Sequence, residues 1–143
     1  MSKAEERTRE AVELLRSWQS LERESIATTA EIMETTGNLL IRQIMEIIRN
    51  DSVQHHRVQQ FIIDILTREP VRMSPDDMAE VWTRLEQHDA LERRTIEMAK
   101  HLKETTTDVV AKVLLEYLIL DEQKHDTLLR QLEDLKRHLS KLA

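Results

Sequence analysis

Apolar residues recur along this chain at alternating steps of three and four, and this spacing predicts four long amphipathic helices near 3–36, 39–68, 75–106 and 109–141. On the fourth helix the stripe runs Ala111, Leu114, Leu118, Glu122, His125, Leu129, Leu132, Lys136, Leu139. On the second it runs Ile41, Ile44, Ile48, Ser52, His55, Gln59, Ile62, Leu66. The first and third give Leu15, Trp18, Glu22, Ser25, Thr29, Ile32 and Leu85, His88, Glu92, Thr95, Ala99, Leu102. Polar residues interrupt every stripe near its middle. Helix starts are marked by Ser2 with Glu5, by Asn38, by Ser74-Pro75-Asp76-Asp77 with Met73 and Met78 as a hydrophobic staple, and by Asp108. Thr35-Thr36-Gly37 and Thr105-Thr106-Thr107 are the breaks between paired helices.

The second half repeats the first at an offset of 70. Between residues 21 and 55, ten of 35 positions are identical without a gap, among them Glu22/Glu92, Arg23/Arg93, Thr35/Thr105, Asp51/Asp121 and His55/His125. Each half therefore reads as a helical hairpin, about 1–69 and 74–143, with one apolar face that it cannot cover alone. The expected fold is all-α: a single four-helix bundle over 1–143, built from two repeated hairpins. Helices of about 30 residues are ~45 Å long, whereas a six-residue connection at 69–74 reaches only ~20 Å. The bundle thus runs up-down-up-down, or unwinds its helix ends into a crossover, or pairs its hairpins between chains.

One glycine, two prolines and 3% aromatic residues exclude a β architecture, which needs turn residues and aromatic or β-branched runs. The net charge of −6, with both signs evenly mixed, offers no basic stripe for nucleic acid. Apolar runs such as 113–115 and 117–120 are too short for a membrane span, and residues 1–10 lack a signal-peptide core. The expectation is a cytoplasmic protein with no membrane or nucleic-acid partner. With no cysteine, any metal must be held by carboxylate and imidazole.

The polar interruptions supply both. Glu22 and Ser52 lie 15 residues either side of Gly37, and Glu92 and Glu122 lie 15 either side of Thr107. Equal distance from an antiparallel turn means equal height, so Glu22, His55, Glu92, Glu122 and His125 are expected to converge in one layer. Three buried carboxylates need a counter-charge, and their mixture with imidazole suits iron, manganese or zinc. A buried polar network without metal is the plainer alternative. His56, His101 and His138 are expected at the surface. His88, one turn before Glu92, is either an outer or substitute ligand or a packed histidine.

This arrangement resembles the ferritin-like di-metal carboxylate superfamily, which includes the rubrerythrins. Its pattern is a Glu from one helix and Glu-x-x-His from the next, given twice. Glu92 with Glu122-Gln123-Lys124-His125 matches one complete half; Glu22 with Ser52-Val53-Gln54-His55 matches the other with Ser in place of the motif Glu. The resemblance spans residues 15–130 and implies metal ligation by Glu22, His55, Glu92, Glu122 and His125. It implies Asp51, Asp121, Ser52 and His88 around them, with each Asp a hydrogen-bond partner of a ligand imidazole. The implied cofactor is iron, as one ion or two, with manganese or zinc as substitutes, and the implied chemistry is reaction with oxygen or peroxide. The alternatives are a non-catalytic interaction or scaffold protein with a vestigial site, and an iron-storage subunit. A homodimer or higher homo-oligomer is the expected assembly.

Overall fold

The computed structural model describes residues 1–69 and 71–142, with side chains through His138. Its elements are α1 (Lys3–Thr35), α2 (Leu39–Thr67), α3 (Pro75–Thr105) and α4 (Val109–Leu142), with no strand among the described residues. The all-α class and the helix limits agree with the periodicity to within a residue or so. The connection read at 69–74 includes Pro70, which lies outside the described residues, as does the side chain of Leu139.

The caps form as the sequence implies. Ser2 and Ser74 each close a reciprocal capping box, with Glu5 and Asp77 as the returning carboxylates. The backbone and side-chain hydrogen bonds from Ser74 hold the Asp77 carboxyl below the usual range. Asn38 and Asp108 accept from the amides of Ile41 and Ala111 at 3.0 and 2.8 Å.

Contacts gather into two compact units, Met1–Val71 and a second beginning at Arg72. In the first, α1 packs on α2; in the second, α3 packs on α4. The duplication extends to the turns, where several hydrogen bonds recur at the same offset. The Thr36 amide bonds the Ile32 carbonyl at 3.0 Å, and the Thr106 amide bonds that of Leu102 at 2.9 Å. The Asn38 amide donates to Thr36 Oγ1 at 3.1 Å and the Asp108 amide to Thr106 Oγ1 at 3.3 Å.

Neither turn uses left-handed backbone. Gly37 has no positive φ, and a Cβ built on it meets nothing within 4 Å. Thr107 fills the matching place. Gly37→Ala should therefore stabilise the protein by about 0.4–1 kcal/mol, through a less disordered unfolded chain. Urea unfolding checks this, and a lowered midpoint would contradict the turn geometry.

The seam inside each hairpin is largely polar. Among the described residues, the buried apolar side chains are Ile63, Met78 and Ile119, whereas Gln19, Glu22, Thr29, Ser52, Gln59, Glu92 and Asp126 are buried polar ones. Several residues expected on the core stripe are exposed instead: Trp18, Ile32, Ile41, Ile48, His88, Leu102 and Leu118. The reason is width. An amphipathic stripe covers more than 100° of a helix, and the partner helix of the hairpin takes only one edge of it. Gln19 replaces Trp18 on that edge, Ile63 replaces Ile62, and Ile119 replaces Leu118. Leu91, Met98, Val113, Leu128 and Leu135 likewise remain exposed in the second hairpin, and Leu14, Leu21, Val58 and Phe61 in the first. No described helix is long and apolar enough to cross a membrane.

Candidate metal centre

In the second hairpin, α3 contributes Glu92 and α4 contributes Glu122 and His125, and one ligand atom of each lies within 4.8 Å of the others. Glu122 and His125 share a face because they are three residues apart on one helix. Glu92 comes level with them because it is the same distance from the Thr106–Asp108 turn. His125 Nδ1 donates to Glu92 Oε1 at 3.0 Å and lies 3.8 Å from Glu122 Oε2. His88 Nε2, one turn earlier on α3, donates to the same Glu92 oxygen at 2.9 Å. The Glu92 side chain is only 8% exposed, yet its other oxygen, Oε2, is buried with no hydrogen-bond partner. A buried, unsatisfied carboxylate oxygen is costly, and a bound cation relieves that cost. The residues present therefore fit a transition-metal ion: two carboxylates and an imidazole, one carboxylate already short of a partner.

Asp121 lies behind His125, its Oδ2 3.5 Å from Nε2 of the ring, and also pairs with Lys124 at 2.8 Å. Asp51, at the matching place in the first hairpin, is half-buried and makes no hydrogen bond or ion pair with His55 among the described residues.

The first hairpin keeps a smaller version of this site. Glu22 and His55 approach to 3.5 Å. Ser52 is buried and spends its hydroxyl on Ser25, Oγ to Oγ at 2.9 Å, so the place that Glu122 takes in the repeat is held by a neutral pair. Of the five expected ligands, Glu92, Glu122 and His125 are brought together in the second hairpin, while in the first Glu22 meets only His55, whose side chain is 58% exposed instead of lying on the core stripe.

The neighbouring layer was not legible in the sequence. One turn farther from the α3–α4 turn, Asp89 and Asp126 face each other. The interaction with Asp126, together with burial, raises Asp89 above the usual carboxyl range, whereas the interaction with Asp89 and the bond from Arg130 lower Asp126. Arg130 bonds Asp126, and Arg93 binds Asp89 at 3.0 Å. The repeat places Gln19 and His56 at these positions. There Gln19 Nε2 donates to Gln60 Oε1 at 3.0 Å, and Arg23 donates to His56 Nε2 at 3.1 Å. His56, expected at the surface, is half-buried, whereas His101 and His138 are exposed as expected. Both copies carry an arginine at the same place, Arg23 and Arg93. That shared arginine is the only sequence signal of the layer.

A cleft of about 210 Å³ beside this acid pair is lined by Trp82, Leu85, Asp89, Arg93, Leu129 and Arg130. None of Glu92, Glu122 and His125 lines it, so the candidate centre meets solvent through its own imidazoles instead. Comparison with protein-family models, curated proteins and solved structures finds no match to this chain.

Proposed function

We propose that this chain is a metal-binding protein of the ferritin-like kind, holding iron or manganese on its second hairpin through Glu92, Glu122 and His125. The observation that carries the reading is the buried, unpartnered Oε2 of Glu92 inside a group whose ligand atoms lie within 4.8 Å of one another. The spacing of Glu92 and Glu122-x-x-His125 about the turn supports the family resemblance. When bound, such an ion supplies positive charge to the carboxylates and a redox centre for oxygen or peroxide. The chain's own part is to place the ligands. Glu92 is held rigidly in the seam, His125 is oriented by Glu92 on one side and Asp121 on the other, and Glu122 stands half-exposed where it can change its mode of binding.

Elemental analysis of protein purified without tags or chelators, followed by dialysis against iron(II), manganese(II) and zinc(II), tests this reading. Stoichiometric metal lost on His125→Ala is the expected result. A chain that takes up no transition metal overturns it.

A non-catalytic interaction protein is the second reading, favoured by the exposed Leu91, Met98, Leu128 and Leu135. Metal content separates the two.

A further inference from the structure

We propose, resting on the metal-binding reading above, that His88 is a fourth ligand, which makes the second hairpin a self-contained site for one divalent transition-metal ion. Three observations carry this. His88 Nε2 and His125 Nδ1 each lie within a hydrogen bond of a single oxygen, Glu92 Oε1, at 2.9 and 3.0 Å. Glu92, Glu122 and His125 lie within 4.8 Å of one another, and His88, outside that group, reaches it through the same Glu92 oxygen. An ion among them takes up the imidazole nitrogens and the carboxylate charge together.

The second observation is how the repeats differ. At the shared offset, His88 is replaced by Trp18 and Glu122 by Ser52, while Glu92 and His125 are kept as Glu22 and His55. The hairpin with the motif Glu also has the extra His, and the hairpin without the one lacks the other. Trp18 is 54% exposed and Ser52 is bonded to Ser25, so neither stands in for a ligand. A histidine present merely to fill space has no reason to follow the motif carboxylate in this way.

The third is charge. Two carboxylates neutralise one divalent ion, with two neutral imidazoles completing four positions and leaving the exposed side for water or substrate. The His88 side chain is 60% exposed, so it stands at the solvent edge of the group. All four proposed ligands belong to the second hairpin, in contrast to the six-group pattern that the family resemblance implies.

The experiment is a cobalt(II) titration of the full chain. Visible absorption reports the ligand field, equilibrium dialysis reports stoichiometry, and circular dichroism confirms the helix content of each variant. One cobalt per chain is expected, with His88→Ala weakening binding at least tenfold and altering the cobalt spectrum. His101→Ala, an exposed control, should bind as the parent does. If His88→Ala keeps the parental affinity and spectrum while His125→Ala loses cobalt, the role of His88 is overturned and the metal reading stands. If Glu92→Ala and His125→Ala also keep cobalt, the metal reading itself falls. Two cobalt ions per chain, or one weakened by His55→Ala, overturn the single-hairpin site. A His88→Ala chain with reduced helix content is replaced by His88→Gln, for which the same loss of affinity and the same spectral change are required.

Discussion

Glu92→Ala should abolish stoichiometric metal binding and yet leave the metal-free protein at least as stable as its parent. The two effects have one origin. Glu92 is the most buried member of its cluster, and both imidazoles reach toward the same one of its oxygens. Its loss removes a ligand directly, so the fall in affinity should exceed the roughly ten- to hundredfold typical of losing an outer partner. In the metal-free chain, however, Oε2 is buried without a partner, and a group left in that state costs about 1–3 kcal/mol. Removing it offsets the lost hydrogen bonds from His88 and His125. Thermal melts in chelator beside metal analysis check both halves of the prediction. Parental metal content in the variant would remove Glu92 from the site, and a large drop in chelator stability would show that its two hydrogen bonds outweigh the orphaned oxygen.

Ser52→Glu should have the converse effect, lowering the stability of the metal-free chain and adding a second, weaker metal site. The position is buried, and the hydroxyl pair with Ser25 is lost when the longer side chain enters. An unpartnered carboxylate there costs several kcal/mol unless it is neutralised or paired. Beside it stand Glu22 and His55, 3.5 Å apart, which with the new carboxylate reproduce the trio of the second hairpin. Adding Trp18→His should tighten the new site by about tenfold or more, by the same logic as His88. Dialysis should then show two ions per chain instead of one. A destabilised Ser52→Glu protein that gains no metal, even with Trp18→His, would mean that the first hairpin no longer aims this position at a ligand site.

The helices were legible because every signal agreed: the caps at Ser2, Asn38, Ser74 and Asp108 sit where the apolar periodicity begins, and each forms its predicted hydrogen bond. The cluster of Glu92, Glu122 and His125 was legible because symmetry about a turn converts sequence distance into height, a property of any straight antiparallel pair. Rotation was the weak point. Period alone places a residue on a stripe but not on one edge of it, so Trp18 was read inward where Gln19 takes the seam. The acid pair of Asp89 and Asp126 escaped for a related reason. Each lies one position off the stripe, and nothing local distinguishes a surface aspartate from one that interacts with another carboxyl across a seam.

On the proposed metal reading, the shared oxygen of Glu92 bears on how an ion would enter. A carboxylate oxygen can only accept, so the two bonds to Oε1 fix the hydrogen of His88 on Nε2 and that of His125 on Nδ1. Those are the nitrogens that face the cluster, and an N–H cannot donate a lone pair to a metal. Uptake would therefore be an exchange rather than an addition, each ring releasing its inward hydrogen to solvent or carrying it on the opposite nitrogen. For His125 that opposite nitrogen, Nε2, already looks toward Asp121 Oδ2 at 3.5 Å. On that reading, Asp121 would accept a hydrogen relocated to Nε2, which is one of the two routes by which His125 frees its inward nitrogen.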